Sequence, residues 1–342
     1  MENKKKRVCI TGICGFVGHH ICEHFLKNTD WEIIGLDKLS YASNGLDRLR
    51  DIKAFDENRV KLFAIDLQLP LSSGVKREIG EVDYILNLAS ESHVDNSIKD
   101  PVGFIGNNVG LMLNMLEWAR GLKELKKFIQ FSTDEAYGTA PEGVNYKEGD
   151  RHNVGNPYSA SKDCQEAICR AYSNTYGMPI NIINAMNIIG ERQHPEKFVP
   201  ICIRKILNDE VIQVHANKDL TESGKRHYLH ARNIAQALHF ILEKTDEGLD
   251  KVDASKGCWN IVGDMEVANS DLAKMIGKIL GKEAKIEMVA WHRSRPGHDL
   301  RYSLDGSKLK EAGFDYPKSF EETLKKTVLW GIDPENKRWL GL

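Results

Sequence analysis

The stretch TGICGFVG, residues 11–18, decides the fold, because its three glycines stand between a strand-like run and a helix-like run. The run RVCITG before it is apolar and β-rich, and the run FVGHHICEHFLKN after it has apolar residues at helical spacing. Gly12, Gly15 and Gly18 would permit a tight turn and close approach of the backbone to a pyrophosphate at a helix N-terminus. The stretch therefore predicts a dinucleotide-binding turn, with a packing turn in some other α/β protein as the alternative.

Outward from this turn, six strand-like runs alternate with helix-like runs until Gly190. Such alternation predicts a Rossmann-type, doubly wound parallel sheet that is covered by helices on both faces. The later sequence breaks this pattern and predicts a smaller, mixed C-terminal substrate domain. We assign residues 1–190 to the dinucleotide-binding domain and residues 191–342 mainly to the substrate domain, with segments near 226–245 returning to the first.

The composition excludes several classes of protein. The chain has 342 residues and a net charge of -2, so no electrostatic case exists for nucleic acid as a partner. No apolar run has the length of a membrane span, and we expect no membrane partner. Seven scattered cysteines without a paired ligand set predict a reduced, cytoplasmic chain with no metal site.

The second predicted strand ends at Asp37, 19 residues after Gly18. A carboxylate at this place would accept hydrogen bonds from the adenosine ribose and repel a 2′-phosphate, which favours NAD over NADP. The adjacent Lys38 weakens that preference slightly. Asp66 ends the third predicted strand and is placed to reach the adenine, with an Asx turn as the alternative.

Tyr158 and Lys162 stand four residues apart in YSASK, a spacing that puts both on one face of a helix. A nearby ammonium would lower the pKa of the phenol, so that Tyr158 would take an alcohol proton while a hydride leaves for the nicotinamide. Lys162 would also hold the nicotinamide ribose. The pair alone occurs on many surface helices, but here it follows the end of a predicted strand in a chain with a dinucleotide turn.

Two adjacent acids, Asp134 and Glu135, follow the fifth predicted strand in FSTDEAYG. Adjacent carboxylates repel, so a site that keeps both favours one proton shared between them. The alternative for this stretch is a helix cap after a strand.

These stretches together resemble the extended short-chain dehydrogenases/reductases, and more narrowly the nucleotide-sugar 4,6-dehydratases of the dTDP-glucose 4,6-dehydratase type. The resemblance extends over residues 7–305 and is carried by TGICGFVG, LDKLSYASN, NLASESHVDNSI, FSTDEAYG, NPYSASK, HPEKFVP and RPGHDLRYSLD. The Thr-Asp-Glu triplet is the most discriminating of these motifs, because the epimerases of the same fold usually lack the Asp-Glu pair.

The resemblance implies an NAD-dependent lyase acting on a nucleotide sugar. Glu135 would be the base that removes the C5 proton, and Asp134 would be the acid that protonates the leaving C6 hydroxyl. Thr133 would hydrogen-bond O4 beside Tyr158. The hydride taken from C4 would return to C6, so that NAD is regenerated in each turnover.

The matched stretches also imply binding residues. The implied cofactor-binding residues are Gly12, Gly15, Phe16, Val17, Gly18, Asp37, Lys38, Leu39, Ser40, Asp66, Leu67, Leu88, Ala89, Ser90, Asn107, Tyr158 and Lys162. The implied substrate-binding residues are Ser92, Thr133, Asn187, Lys197, Phe198, Arg226, Asn269, Arg295 and His298. A guanidinium suits Arg226 to a diphosphate, although a surface salt bridge is an alternative for Arg226, Arg295 and His298.

The chain departs from the family pattern in places. Ile13 and Cys14 replace two small residues of the glycine turn, and RHYLHARNIA loses acids that usually flank the substrate arginine. The second change lies in the half that selects the nucleotide and sugar. We expect dTDP-glucose first and UDP-glucose second as the substrate.

Three readings remain open on the sequence. A dehydratase comes first, a nucleotide-sugar 4-epimerase or decarboxylase of the same fold comes second, and a non-catalytic NAD-binding scaffold comes third. The family generally forms homodimers through two helices per subunit, which here would lie at about residues 108–122 and 157–176.

Overall fold

The computed structural model describes residues 4–244, 257–290 and 300–342. Strands and helices alternate through the first half of the chain. Their bounds are β1 (Arg7–Thr11), α1 (Phe16–Asn28), β2 (Glu32–Asp37), α2 (Asp47–Asp51), β3 (Val60–Ala64), α3 (Ser73–Ile79), β4 (Tyr84–Asn87), α4 (Val94–Lys99), α5 (Pro101–Ala119), β5 (Lys127–Thr133), α6 (Pro157–Tyr176) and β6 (Ile180–Ala185).

Shorter strands and five further helices make up most of the second half. Their bounds are β7 (Ile188–Ile189), α7 (Phe198–Leu207), β8 (Ile212–Ala216), β9 (Lys225–His227), β10 (Leu229–His230), α8 (Ala231–Lys244), β11 (Cys258–Ile261), β12 (Glu266–Ala268), α9 (Asn269–Leu280), β13 (Ile286–Ala290), α10 (Ser307–Glu311) and α11 (Phe320–Ile332). Strand β13 pairs with β8 in parallel, and β12 pairs with β9 in antiparallel. Helices α7, α9 and α11 bury Ile203, Leu272 and Leu324 in one apolar cluster.

The central sheet has seven strands in the order β3-β2-β1-β4-β5-β6-β11. All of its pairings are parallel, and β1 pairs with both β2 and β4. The strand order reverses between β1 and β4, and in such sheets a crevice opens beyond the carboxyl ends of these strands. The predicted fold class is confirmed, and the crevice is where the site lies.

Helices cover both faces of the sheet, as the alternation of side chains along β1 illustrates. Val8 and Ile10 pack into a cluster that includes Leu238 of α8, while Cys9 packs on the opposite face with Met112 of α5. Both faces are buried, so the strands are apolar throughout. None of the helices in the described ranges is long and apolar enough to cross a membrane.

The chain returns to the first half after it has entered the second. Helix α8 packs against α1, and β11 pairs with β6 through Cys258 opposite Ile182. The sequence did not single out β11, because CWNI is a four-residue apolar run without a periodic neighbour.

Several strands and helices begin or end at residues other than the predicted ones, for local reasons. The run VDYILNLAS predicts a fourth strand that ends at Ser90. In the structure β4 ends at Asn87, because the Thr11 hydroxyl accepts hydrogen bonds from the backbone N–H groups of Leu88 and Ala89, at 3.0 and 2.9 Å. Helix α5 begins earlier than predicted, since the Asp100 side chain caps it by accepting from the Gly103 N–H at 3.0 Å.

Candidate active site

One cavity of about 790 Å³ occupies the crevice at the carboxyl edge of the sheet and continues into the second half of the chain. Of the predicted site residues within the described ranges, all line this cavity except Leu39. Leu39 packs against the core instead, and only its backbone N–H reaches the site, where it donates to the Asp37 carboxylate at 2.7 Å. Arg295 and His298 lie outside the described residues.

The glycine turn has room for backbone and for little else. Gly12 has a φ of +68°, and a Cβ there would lie 3.2 Å from the Ala89 backbone. A Cβ on Gly15 would lie 2.9 Å from the Gly12 carbonyl oxygen. Helix α1 has no side-chain cap at Gly15. The N–H groups of its first turn therefore have no acceptor within the helix and are available to a ligand. The turn therefore fits a dinucleotide pyrophosphate.

The two unusual residues of the turn fit its geometry. Ile13 is fully buried and has no positive φ, and its side chain fills the space beside Gly35, where a Cβ would approach it to 2.7 Å. Burial raises the pKa of the Cys14 thiol to about 12, so this cysteine is a neutral, packed side chain. Neither substitution obstructs the cofactor end of the cavity.

Asp37 joins the end of β2 to the glycine turn. Its carboxylate accepts from the Cys14 N–H at 2.9 Å and is 6% exposed. Burial raises its pKa, and the backbone donors oppose that rise. Lys38 donates to Glu91 at 2.8 Å and to Asn107 at 3.2 Å, so its ammonium group is paired with a carboxylate other than Asp37.

Asp66 lines the same end of the cavity. Its Oδ1 accepts from the Gln68 N–H at 2.9 Å, so the Asx turn weighed from the sequence is present. A cavity-lining position and an Asx turn are compatible, because the turn uses one carboxylate oxygen.

The predicted acids lie where β5 ends. The chain passes from Thr133 into a short 3-10 turn, Asp134–Tyr137, beside the N-terminus of α6. Asn156 caps α6 by accepting from the Ser159 N–H at 2.9 Å, and its amide donates to Glu135 Oε2 at 3.1 Å. One side chain thus connects Glu135 to the helix that carries Tyr158 and Lys162.

Asp134 is buried, and its Oδ2 has no hydrogen-bond partner among the described residues. Its Oδ1 accepts from the Thr133 hydroxyl at 3.1 Å. Burial and then the charge of Glu135 raise its pKa from 3.8 to about 7, while Arg226 opposes the rise. A carboxyl with these properties is available as a proton donor at neutral pH.

Tyr158 and Lys162 both line the cavity, but not with the electrostatics expected from the sequence. Burial and the charge of Glu135 raise the pKa of Tyr158, and only a hydrogen bond with Thr133 opposes them. Lys162 donates to the Phe131 carbonyl oxygen at 2.5 Å, and burial lowers its pKa to about 8. Burial and the neighbouring carboxylate thus favour the protonated form of the phenol.

Sequence reasoning missed two residues of the site. Tyr302 donates to Glu135 Oε2 at 3.5 Å, and the Arg226 guanidinium lies 4.4 Å from its ring centre. Arg48 is buried in the cavity wall and donates to the carbonyl oxygens of Cys14 and Arg192, at 3.1 and 3.0 Å. Neither has a local motif, although Tyr302 lies within the matched stretch RPGHDLRYSLD.

The fold and the site define a dinucleotide-dependent enzyme with a Tyr–Lys pair beside two adjacent acids. The model of the NAD dependent epimerase/dehydratase family matches residues 8–255, and the chain belongs to that family. The resemblance noted in the sequence is confirmed, and so are the enzyme class and the NAD cofactor.

Three similar proteins illustrate the relationship. The chain is 31% identical to the dTDP-glucose 4,6-dehydratase of Escherichia coli, over 98% of its own length and 94% of that protein. It is 32% identical to a trifunctional UDP-glucose 4,6-dehydratase/UDP-4-keto-6-deoxy-D-glucose 3,5-epimerase/UDP-4-keto-L-rhamnose-reductase of Arabidopsis thaliana, over 98% of its length and 48% of that protein. The structure of a dTDP-glucose 4,6-dehydratase from Streptomyces venezuelae with NAD bound has a TM-score of 0.83 at 30% identity, covering 97% of this chain and 98% of the other.

Proposed function

We propose that the protein is a nucleotide-sugar 4,6-dehydratase, which converts an NDP-glucose to the NDP-4-keto-6-deoxyhexose with loss of water. The observation that carries this proposal is the buried Asp134 directly beside Glu135, in one cavity with Tyr158, where burial and the Glu135 charge raise the pKa of the Asp134 carboxyl. An epimerase needs no acid–base pair for C5 and C6. The bacterial relatives support dTDP-glucose as the first substrate, and the plant relative supports UDP-glucose as the second.

The first step is oxidation at C4. Tyr158 takes the proton of the O4 hydroxyl, and the Thr133 hydroxyl, which lines the same cavity, orients O4 by a hydrogen bond of its own. The glycine turn, Asp37 and Lys162 would hold NAD, which would supply the hydride acceptor for C4 and the hydride donor for C6, and a cationic nicotinamide beside Tyr158 would favour the phenolate.

The second step is elimination of water across C5 and C6. The C4 ketone acidifies the C5 proton, and Glu135 takes it, held by Asn156 and Tyr302. Asp134 gives its proton to the C6 hydroxyl, which leaves as water. Glu135 then returns a proton to C5. The protein regains its starting state once Tyr158 releases the O4 proton to solvent and Asp134 takes one up, so the two transfers cancel.

Basic side chains in the second half of the chain support a diphosphate ligand. Lys197 and Arg226 line the cavity, together with Arg204 and Lys205. Asn187 lines the same cavity. These groups suit the two phosphates that link the sugar to the nucleoside.

The test is incubation of the purified protein with NAD and, separately, dTDP-glucose, UDP-glucose and UDP-N-acetylglucosamine, followed by mass spectrometry. We expect a product lighter by one water from dTDP-glucose or UDP-glucose. Conversion to galactose stereochemistry without loss of water would assign the protein to the epimerases. No reaction with any of the three nucleotide sugars would favour the non-catalytic NAD-binding scaffold.

We also propose that the protein is a homodimer. Val102 is 83% exposed on α5, with Leu113 and Tyr176 exposed on α5 and α6, and a Cβ on Gly106 or Gly110 would meet nothing within 4 Å. An exposed apolar face with small residues suits close helix packing between subunits. Light scattering of V102E should then show a monomer, whereas L220E, at an exposed leucine elsewhere, should not change the mass.

Two further assignments complete the proposal. Each of the seven cysteines lies in the described part of the chain and is free, and six are buried, which supports the cytoplasm as the compartment. We assign residues 1–190 to the NAD-binding domain and residues 191–342 mainly to the substrate domain. The packing of α8 on α1 supports a return of the segments near 226–245 to the first domain.

A further inference from the structure

A carboxylate lies buried beneath the catalytic end of β5. Glu166 of α6 is fully buried, and its Oε1 accepts from the Ser132 hydroxyl at 2.5 Å and from the Asn184 amide at 2.8 Å. Its Oε2 accepts from Arg170 at 2.9 Å. None of the roles proposed above uses this residue, yet a buried carboxylate is costly unless it is fully paired.

The contacts of Glu166 converge on the residues that carry Thr133. Ser132 precedes Thr133 in the chain, and Asn184 donates to the Thr133 carbonyl oxygen at 3.3 Å as well as to Glu166. Lys162 holds the Phe131 carbonyl oxygen. Three consecutive residues of β5 are therefore fixed from α6 and β6, and Glu166 supplies two of the connections.

Glu166 also stands four residues after Lys162, one helical turn away on the same face of α6. Burial lowers the pKa of Lys162 to about 8, and the charge of Glu166 is the largest influence that opposes this. Five other titratable or charged groups lie around Lys162 and Glu166 within the described residues. They are Arg170 and Cys169 of α6, His152 from the loop before α6, Tyr137 from the 3-10 turn and Cys258 of β11. Glu166 is the acid whose charge acts on Lys162, whereas Asp163 of the same turn pairs with His152.

We propose that Glu166 is a positioning residue for the reaction: its carboxylate holds Thr133 in place through Ser132 and Asn184 and supplies the negative charge that keeps Lys162 protonated. The role of Lys162 and Thr133 in C4 oxidation rests on the proposed function. The charge relation between Glu166 and Lys162 rests on their burial one turn apart on α6 and does not depend on the reaction.

The test measures the protonation of Lys162 directly. Acetic anhydride labels neutral amines, so the pH midpoint of Lys162 labelling, followed by peptide mass spectrometry, reports its protonation. In E166Q we expect this midpoint to fall by about one pH unit or more, as for loss of a unit charge one turn away in a shielded interior. The alkaline limb of the pH profile for water loss should shift to lower pH by a similar amount.

Asp163 provides the matched control. It is an acid of the same helical turn, but its carboxylate accepts from His152 at 2.6 Å on the outer side. D163N should produce no downward shift of the Lys162 midpoint. An unchanged midpoint in folded E166Q, or an equal fall in D163N, would overturn the proposal.

A second variant covers the case in which E166Q does not fold. E166D keeps the charge and withdraws the oxygens from Ser132 and Asn184, so the labelling midpoint should stay within about half a pH unit while C4 oxidation slows about tenfold. Unchanged oxidation in E166D, or a midpoint that falls despite the retained charge, would contradict the proposed role. If no nucleotide sugar loses water but the E166Q midpoint still falls, the proposed function fails and the charge relation holds.

Discussion

At the scale of single residues, two neighbouring carboxyls behave differently because their surroundings differ. Asp134 is buried with one bonded oxygen, whereas Glu135 receives hydrogen bonds from Asn156 and Tyr302. The negative charge of Glu135 adds to the burial of Asp134 and raises its pKa to about 7. The pair therefore holds one proton near neutral pH, which is what an elimination with one base and one acid requires.

E135Q should separate the oxidation from the elimination. The amide keeps the shape of the side chain but cannot take the C5 proton, so we expect no loss of water while reduced nicotinamide accumulates after substrate is added. Absorbance of the reduced cofactor and product mass measure the two steps. E142Q changes an exposed acid of the following loop and should keep both the oxidation and the loss of water. Full water loss by E135Q would remove Glu135 from the role of base.

D134N should be more stable than the native protein in alkaline solution. The folded pKa of Asp134 is raised from 3.8 to about 7, so the folded state binds more protons than the unfolded state between these values. Stability from this group is thus complete below pH 4 and is lost as the pH rises through 7. Urea unfolding should give D134N a gain on the order of 2–4 kcal/mol at pH 8 and little at pH 4. Equal gains at both pH values would contradict the raised pKa.

At the scale of elements, the N-terminus of α6 does two things with one side chain. Asn156 caps the helix with its amide oxygen and holds Glu135 with its amide nitrogen. The helix start and the position of the proposed base are consequently coupled. Sequence reasoning identified the helix and the acid, but a bond across 21 residues leaves no trace in a local pattern.

N156A should therefore cost both stability and rate. Loss of the cap should lower the free energy of unfolding by about 1 kcal/mol, and the freed Glu135 should slow elimination. S319A removes the cap of α11, a residue that does not line the cavity, and should cost similar stability without slowing water loss. Denaturant unfolding and turnover of both variants provide the comparison, and an equal loss of rate in S319A would argue against the coupling.

At the scale of the whole molecule, Asp51 joins the C-terminal segment to the first half. It accepts from Arg192 at 3.2 Å and from the Trp339 indole N–H at 3.1 Å, and it also pairs with Arg338. Arg48 lies 5.3 Å from the ring centre of Trp339. The last residues thus pack at the cofactor end of the cavity.

D51A should lower the free energy of unfolding by about 2 kcal/mol, because it leaves partly buried donors without their acceptor. E78A breaks an exposed ion pair with Lys61 at 2.8 Å and should change it by less than about 0.5 kcal/mol. Urea unfolding of the two variants measures the difference, and an E78A loss as large as that of D51A would show that Asp51 is an ordinary surface acid.

The same scale shows what a sequence can and cannot predict here. The strand–helix alternation predicted the parallel sheet, because the apolar spacing that marks each strand and helix lies within a short run of sequence. The pattern did not predict β11, whose pairing with β6 is a long-range contact, or Tyr302, which reaches Glu135 from 167 residues away. It also misjudged the Tyr158 environment, since burial and Glu135 raise a pKa that Lys162 was expected to lower.

The pairing of β11 with β6 has a consequence for how the protein is made. On the ribosome, β6 emerges long before β11, and α1 emerges long before α8, which covers it. Until then, the nascent first half presents an open sheet edge and an uncovered apolar helix to its surroundings. Synthesis therefore passes through an interval in which this edge and this helix face are uncovered, and the interval ends only when the later segments leave the exit tunnel.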